Sequence, residues 1–240
     1  MKLSIIIPVY NEERTVETLL NKVVNAKYEG VEKEIIIVEG NSTDRTREIV
    51  TRFAKEHGIR LILEDGPHGK GAASRLAFKE TTGDTVLIQD GDLEYDPDEY
   101  MKFLTPIING EAKVVNGSRS LGAGLMYRKY SGIERLHSFV LNIGSFVFVT
   151  LLNLLYGVRI TDVTSMLKFY PGDFIRSVNL REDGFGIESE LTAKLAKQGY
   201  KILEVPASFK GRSHAEGKKL NFFKDGFVIL KAIIKYRFTD

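Results

Sequence analysis

The stretch TVLIQDGDLE, residues 85–94, decides the fold of this chain. Its first half is apolar and rich in β-branched residues, which is typical of a buried strand. Its second half places Asp90, Asp92 and Glu94 at alternate positions around Gly91, as expected where a strand ends in a turn. Carboxylates spaced in this way can share a hard divalent cation, and Mg²⁺ or Mn²⁺ readily bridges such oxygens to phosphates. An ordinary Asp-Gly turn followed by a helix cap is the alternative interpretation.

Three further apolar runs precede this strand, with helical patterns after the first two. The four runs predict strands at Leu3–Ile7, Glu34–Val38, Arg60–Leu63 and Thr85–Gln89. Apolar residues at helical spacing lie between Val16 and Val24 and between Ile49 and Ala54. Alternating strands and helices predict a mostly parallel sheet with right-handed crossovers, flanked by helices.

In a parallel sheet of this kind, ligands bind where the strands end. The segments after the four predicted strands are polar or glycine-rich, namely 8–12, 39–42, 65–71 and 90–92. We therefore expect them to converge on one edge of the sheet. Glu39, at the end of the second strand, could accept an N–H group of a nucleobase, with a solvated loop acid as the alternative.

The segment His68-Gly69-Lys70-Gly71 opens a predicted helix. Glycines let a backbone approach a phosphate, a helix N-terminus offers N–H groups, and Lys70 adds positive charge. The spacing matches neither the P-loop nor the dinucleotide-binding fingerprint. A purely structural role for the glycines is the alternative.

The amino-acid composition limits the kinds of function that the chain can have. A chain of 240 residues fits one α/β domain, and a net charge of +2 gives no reason to expect a nucleic-acid partner. The absence of cysteine excludes disulfides, thiolate catalysis and cysteine-ligated metals. The first residues form a strand-like run and lack the layout of a signal peptide, so we expect a cytoplasmic protein.

The second half of the chain has a less regular pattern. It predicts a helix over Arg135–Tyr156, a strand over Met166–Tyr170, a helix over Ile187–Gln198, a strand over Ile202–Val205, a basic loop over Lys210–Lys219 and a last amphipathic helix over Phe222–Tyr236. In the last helix, Phe223, Phe227, Leu230 and Ile234 share one face.

The uncharged stretch Phe139–Val158 reaches the length of a membrane span. A single span would put Arg212 and Glu188 across the bilayer from Asp92. The stretch also carries small polar residues near helical spacing, at Asn142, Ser145 and Asn153. We therefore expect a helix that lies in the membrane interface or is buried in the core.

Several short motifs together resemble family 2 glycosyltransferases, and among these most closely the polyprenyl (dolichol) phosphate sugar transferases. They cover nearly the whole chain and read IPVYNEE (7–13), NSTD (41–44), GKGAA (69–73), QDGDLEYDP (89–97), GSR (117–119), TD (161–162), KFY (168–170), FGIESE (185–190), EVP (204–206), GR (211–212) and EGKK (216–219). The resemblance implies one domain over residues 1–240, with a Rossmann-like, GT-A-type fold. Residues 1–118 would bind the nucleotide sugar and residues 119–240 the acceptor.

The resemblance also implies roles for individual residues. The nucleotide-sugar site would comprise Pro8, Tyr10, Glu12, Glu39, Lys70, Asp90, Gly91 and Asp92. A Mg²⁺ or Mn²⁺ ion would be held by Asp90, Asp92 and Glu94. The acceptor would be bound by Arg119, Arg135, Arg212 and Lys218, with Arg128 as a rival to Arg135 at similar spacing. Asp92, Arg119 and Arg135 would act directly in the transfer step.

The chain departs from the family pattern at two places. Glu39-Gly40-Asn41 stands where the family usually has paired aspartates followed by glycine, so uracil and guanine both stay open as the base. Gly91 stands where alanine is usual, a change that we expect to be tolerated.

The implied reaction is an inverting, metal-dependent transfer from a UDP- or GDP-linked sugar. A polyprenyl phosphate acceptor would be ionised at neutral pH and would need no general base, only cations that position it. The protein would then sit on the cytoplasmic face of a membrane without spanning it. A sugar hydroxyl acceptor would instead need a carboxylate base, for which Glu188, Glu190 and Asp162 are the candidates.

Two further alternatives are a non-catalytic module that binds nucleotide sugar or lipid phosphate, and a metal-dependent nucleotidyltransferase. The second normally has a glycine-rich, arginine-containing loop after the first strand, where this chain has Pro8-Val9-Tyr10-Asn11.

Overall fold

The computed structural model describes residues 1–124, 134–212 and 222–239, with side chains from 139 and 224 onward in the last two ranges. Its strands are β1 (Lys2–Val9), β2 (Glu32–Glu39), β3 (Arg60–Leu63), β4 (Thr85–Ile88), β5 (Val114–Ser118), β6 (Lys168–Pro171) and β7 (Ile202–Pro206). Its helices are α1 (Val16–Asn25), α2 (Thr46–His57), α3 (Lys70–Phe78), α4 (Tyr100–Ile108), α5 (Arg119–Ala123), α6 (Glu134–Tyr156), α7 (Gly172–Ser177), α8 (Ile187–Lys197) and α9 (Phe222–Phe238).

The first four strands form the parallel part of the sheet, in the order β3-β2-β1-β4. Strand β1 lies in the middle, where Ile5 pairs with Ile35 on one side and with Leu87 on the other. Its apolar side chains are buried on both faces by flanking helices, as expected for a parallel strand. The predicted strands and their parallel arrangement are confirmed.

The sheet continues as β4-β6-β5-β7 and becomes mixed, because β6 runs antiparallel to both β4 and β5. Strand β5 and helix α4 were not predicted. The pattern of β5 is hidden by two residues that are unusual in a strand. Asn116 is buried and donates to the Asp162 carbonyl and the Glu204 carboxylate at 2.8 and 2.7 Å. Gly117 leaves room for Leu167 and Phe103, which lie 3.0 and 3.1 Å from where a Cβ would stand.

Helix α6 packs against α9 and α8 rather than separating the chain into two parts. Strand β5 precedes it and β6 and β7 follow it, yet all three pair in one sheet. One helical stretch of the described residues, Phe139–Tyr156, is long and apolar enough to cross a membrane by length and composition. In this fold its two ends connect to the same sheet, so a span is incompatible with the architecture.

Helix α6 has an inner face that mixes apolar and polar side chains. Leu141 and Leu152 are buried there with Asn142, Asn153 bonds both backbone groups of Ile160 at 2.8 and 3.0 Å, and the Tyr156 hydroxyl donates to Ile233 O at 2.8 Å. Its outer face is apolar and exposed, at Phe139, Val140, Ile143, Phe146, Val147 and Leu154. Helix α9 adds exposed Phe227, Ile234 and Phe238.

Candidate active site

A cavity of about 970 Å³ lies at the carboxyl ends of the parallel strands and extends to the gap between α6 and α9. The segments after the four strands converge there, as predicted. Ten of the predicted site residues line it: Pro8, Tyr10, Glu12, Lys70, Asp90, Gly91, Asp92, Glu94, Arg119 and Arg212. Its far end is lined by residues of α6 and α9, including Leu141, Phe148, Val228 and Lys231.

The turn after β4 gathers its carboxylates around one guanidinium group. Arg212 donates through Nη2 to Asp92 Oδ2 at 2.5 Å and through Nη1 to Glu12 Oε2 at 2.9 Å. The backbone N–H of Arg212 donates to Glu94 Oε1 at 2.8 Å, so the start of the basic loop is bound to the turn itself. We call Arg212, Glu12, Asp92 and Glu94 the Asp92 cluster.

Among the described residues, the Asp92 cluster has three carboxylates and one guanidinium, and Lys70 contacts the neighbouring Asp90. Asp92 is 5% exposed, and its burial, with Asp90 and Glu94 nearby, raises its pKa to about 7 despite the opposing effect of Arg212. A second positive charge near these carboxylates would offset that repulsion.

The donor set suits Mg²⁺ or Mn²⁺, which prefer carboxylate oxygens. No group of three or more acidic or histidine side chains in the described part of the chain is placed to hold a metal ion on its own. Mg²⁺ sites of one or two carboxylates are usually completed by substrate phosphates and water, and the residues present fit that type of site.

Lys70 faces the turn as predicted and contacts Asp90 through its Nζ. The start of α3 differs from the prediction, because its N–H groups are already used. Gly71 and Ala72 both donate to the Asp183 carbonyl oxygen, at 2.7 and 3.2 Å. A Cβ at residue 71 would lie 2.1 Å from the Glu182 carbonyl oxygen, so the glycine admits a crossing chain segment rather than a phosphate. Two N–H groups of the helix start are therefore already used, which favours the structural role of the glycines, while Lys70 keeps its place beside Asp90.

Glu39 does not lie where the prediction placed it. Its side chain is fully buried, and its two oxygens accept the backbone N–H groups of Ser42 and Asn41 at 2.7 and 3.2 Å. Arg47 Nε lies 3.0 Å from Glu39 Oε2. The Glu39 carboxylate therefore stabilises the loop after β2. Glu39 is not among the described residues that line the cavity.

Arg119 lines the cavity but has a partner that the sequence did not reveal. Its Nε and Nη2 donate to the two carboxylate oxygens of Asp162 at 2.6 and 2.7 Å, and Nη2 also donates to Thr164 Oγ1 at 2.8 Å. Both side chains of this Asp162 pair are almost completely buried. Burial alone would raise the pKa of Asp162, but Arg119 holds it below its usual value. Asp162 is therefore a poor general base.

The other two candidate general bases, Glu190 and Glu188, have different hydrogen-bond partners. Glu190 accepts the backbone N–H groups of Arg181 and Glu182 at 3.0 and 2.8 Å, which ties the loop before α8. Glu188 lines the cavity, and its Oε2 accepts from the Tyr170 hydroxyl at 3.0 Å and lies 3.2 Å from Lys168 Nζ. Its buried Oε1 has no hydrogen-bond partner in the described part of the chain.

Some of the predicted acceptor residues lie outside the described part of the structure. These are the side chain of Arg135, its rival Arg128, and Lys218. Arg212 is described; it lines the cavity and its guanidinium contacts the Asp92 and Glu12 carboxylates.

The structure adds two residues that sequence reasoning missed. Glu64, directly after β3, is 5% exposed and lines the cavity beside Gly40. Arg181, in the loop before α8, lines the opposite side and adds a cation. The position of Glu64 at the end of a predicted strand could have singled it out, whereas Arg181 lies in a segment with no pattern.

Comparison with known proteins agrees with this geometry. The model of glycosyl transferase family 2 matches residues 4–159. The dolichyl-phosphate hexose transferase of Haloferax volcanii is 30% identical over 237 residues, which are 97% of this chain and 92% of that protein. The dolichol-phosphate mannosyltransferase of Pyrococcus furiosus is 30% identical over 224 residues, 91% of this chain but 59% of that protein.

A solved structure shows the same fold. The glucosyl-3-phosphoglycerate synthase of Mycobacterium tuberculosis, in complex with Mg²⁺ and UDP, superposes with a TM-score of 0.71 at 18% identity, over 98% of this chain and 79% of that one. The mixed sheet flanked by helices is thus the GT-A architecture. The chain belongs to glycosyl transferase family 2 and is a nucleotide-sugar-dependent glycosyltransferase.

Proposed function

We propose that the protein is an inverting, metal-dependent glycosyltransferase that moves a sugar from a nucleoside diphosphate to a polyprenyl phosphate at a membrane surface. One observation carries this proposal: a single cavity joins the carboxylate turn after β4 to a gap between two helices whose outer faces are apolar and exposed. Relatives named for dolichyl or dolichol phosphate support the same acceptor class.

On the donor side, the nucleoside would lie between the loops after β1, β2 and β3, against Pro8 and Tyr10. Lys70 and the Asp92 cluster would face the diphosphate. Asp90 and Asp92, completed by phosphate oxygens, would hold a divalent cation, with Glu94 beside them at the place of the third ligand expected from the resemblance. The cation would stabilise the negative charge that develops on the leaving nucleoside diphosphate. Lys70 would place a positive charge near the leaving diphosphate, because its Nζ already contacts Asp90.

On the acceptor side, a phosphate oxygen is already anionic at neutral pH and attacks without a general base. This agrees with the use of Asp162 and Glu190 as structural carboxylates. Described cations that line the cavity near α6 and α9 include Arg181, Lys231 and Lys235. Arg135, Arg212 and Lys218 stay part of the proposal as phosphate contacts, whereas the guanidinium of Arg119 is held by Asp162.

The exposed apolar residues of α6 and α9 would enter the lipid headgroup region, with Lys231 and Arg237 of α9 toward the anionic surface. The lipid tail of the acceptor would then leave the cavity between these two helices. The protein would be peripheral, on the cytoplasmic face. Each basic residue near an anionic surface contributes about 1 kcal/mol, so binding should depend on salt.

The test uses anionic liposomes with and without a short polyprenyl phosphate. We expect the protein to sediment with liposomes at low salt and release at high salt, and to label the polyprenyl phosphate from a UDP- or GDP-linked sugar with Mg²⁺ or Mn²⁺. Failure to bind liposomes, with transfer only to soluble hydroxyl compounds, would refute the lipid-phosphate acceptor.

A sugar hydroxyl acceptor is the second candidate, and one observation favours it. Glu188 presents a buried oxygen without a partner in the described structure, at the wall of the cavity. A carboxylate in that position could act as a general base. If Glu188→Gln abolished transfer to a soluble hydroxyl while donor hydrolysis persisted, this candidate would be preferred.

A further inference from the structure

The cavity ends, on the side of β1, β2 and β3, in a pocket lined by Pro8, Tyr10, Gly40, Glu64 and Pro67. Glu64 is the one buried carboxylate among these five residues. Its Oε1 has no hydrogen-bond partner in the described residues, although the side chain is only 5% exposed. Buried polar atoms are nearly always satisfied, so an orphaned carboxylate oxygen at a cavity wall indicates a group that arrives with a ligand.

Gly40 makes room for this carboxylate. A Cβ at residue 40 would lie 3.4 Å from Glu64 Oε2 and 3.6 Å from the Cβ of Tyr10. The acidic side chain of Glu64 therefore reaches across from β3 into the space beside the loop after β2. In the family pattern that loop carries a second aspartate at the position of Gly40, whereas in this chain a carboxylate reaches the same space from the end of β3.

Glu39 cannot take the same role, because both of its oxygens are bound to backbone N–H groups and Arg47. Arg47 also holds the Glu64 backbone, donating from Nη2 to Glu64 O at 3.0 Å, and Glu64 N donates to Glu39 O at 2.9 Å. Glu39 and Arg47 thus fix the main chain of Glu64 and leave its side chain facing the cavity.

We propose that Glu64 reads the nucleobase of the donor by accepting the imide N3–H of uracil. This rests on the proposed nucleotide-sugar site and adds its base specificity. An ionised carboxylate only accepts hydrogen bonds, and the orphaned Oε1 can accept the ring N–H that uracil carries at N3. Cytosine carries a lone pair at N3 where uracil carries a hydrogen, so the same oxygen repels it.

The electrostatic environment of the Glu64 carboxylate also indicates that it lacks a hydrogen-bond donor. Burial raises the pKa of Glu64; Glu39 and Asp65 push it in the same direction, while His68 opposes the shift. An N–H donor from the base would compensate for lost hydration of the carboxylate.

The test is equilibrium binding of UDP, CDP and GDP, each with Mg²⁺, measured by calorimetry. We expect UDP to bind at least about 10-fold more tightly than CDP or GDP. Glu64→Ala and Glu64→Gln should each reduce that UDP-over-CDP preference by about 10-fold or more, the size expected for a hydrogen bond to a charged group. Asp65→Asn is the matched control, because this neighbouring carboxylate is exposed and does not line the cavity. It should bind like the wild type.

A rescue variant separates base reading from a general loss of structure. Gly40→Asp combined with Glu64→Ala returns a carboxylate to the same space from the other strand, and it should restore part of the UDP preference. Unchanged UDP and CDP affinities in the Glu64 variants, or a wild type that prefers GDP, would overturn the assignment and leave the glycosyltransferase proposal standing. If the wild type binds no nucleoside diphosphate, both fall together.

Discussion

The Asp92 cluster and the Asp162 pair both place an arginine against buried carboxylate, yet they differ in charge balance. In the Asp162 pair, one guanidinium meets one carboxylate through two parallel hydrogen bonds of 2.6 and 2.7 Å. In the Asp92 cluster, one guanidinium faces three carboxylates, with Asp90 close by. The pKa of Asp162 is lowered, whereas that of Asp92 is raised to about 7.

In a balanced buried pair the two charges compensate each other. Removing one partner leaves the other charge buried and uncompensated. An unbalanced cluster is stable only at a cost, and a ligand of the opposite charge would relieve it. The comparison separates a residue pair that maintains the fold from a cluster prepared for a cation and a diphosphate. It also predicts that a substitution of Arg119 lowers stability more than it lowers affinity for the acceptor.

The sharpest test of the comparison is Asp92→Asn. We expect transfer to fall by two to three orders of magnitude or more, because removal of one electrostatic stabiliser of a developing charge typically costs about that much. Turnover from a UDP- or GDP-linked sugar measures it, and Asp65→Asn serves as the control for loss of a nearby charge. The fold should survive, since the change removes repulsion. Wild-type turnover in Asp92→Asn would contradict the role of Asp92.

Arg119→Ala should act mainly on stability rather than on acceptor affinity. Removing one partner of a buried ion pair typically costs about 3–5 kcal/mol of unfolding free energy. Urea denaturation measures this loss. The double variant Arg119→Met with Asp162→Leu should recover much of it, because no charge is then left buried. If Arg119→Ala unfolds at the wild-type urea concentration but loses transfer to the acceptor, Arg119 is an acceptor contact and the comparison fails.

Without metal, stability should fall with pH through the range set by Asp92. The folded-state pKa of about 7 lies well above the usual pKa of an aspartate, which is about 3.9. Below pH 4 the group is protonated in both states; from there to pH 7 the unfolded state ionises first, so the unfolding free energy declines as pH rises. The total is about 2–4 kcal/mol for a shift of this size.

Comparison of the wild type with Asp92→Asn across that range measures the effect. The variant should gain stability relative to the wild type as pH rises, and Mg²⁺ with nucleotide should reduce the gain. Parallel stability curves for the two proteins would show that Asp92 does not carry the shift.

The smallest effect concerns the outer face of α6. Phe146→Ser or Leu154→Ser should weaken sedimentation with anionic liposomes about 10-fold, because each removes an apolar side chain worth about 1.5–3 kcal/mol when buried in lipid. Donor hydrolysis in solution should be unchanged. The matched control is Leu121→Ser, an exposed apolar side chain outside α6 and α9. Equal liposome binding by all three variants would show that this face does not meet the membrane.

The parallel half of the fold could be predicted because each strand is a short apolar run and each helix has its own periodicity. The residues at strand ends then placed Pro8, Lys70, Asp90 and Asp92 at one edge without further information. The second half was less predictable, and β5 was missed because Asn116 and Gly117 serve contacts with distant residues. Its antiparallel partner β6 was predicted as a strand, but its direction depends on the long path through α6.

The sequence could not predict which distant residues of the site form ion pairs with each other. Arg119 and Asp162 are 43 residues apart, and Arg212 is 120 residues from Asp92. A resemblance to a family assigns each residue a role on its own, and it does not show which charges already compensate each other. For the same reason Glu39 was assigned to the base, although its oxygens are used by its own loop and Arg47.

The contact between Asp183 and the start of α3 limits how this enzyme could be recombined with its relatives. The carbonyl oxygen of Asp183 accepts two N–H groups from α3, and the chain passes where a side chain at residue 71 would stand. A chimera that exchanged residues 119–240 alone would bring a foreign segment 181–184 against this helix. Such a hybrid would therefore need to carry its own 69–72 segment along with the exchanged half. Acceptor range in this architecture should then be easier to alter by substitutions within α6 and α9 than by swapping halves.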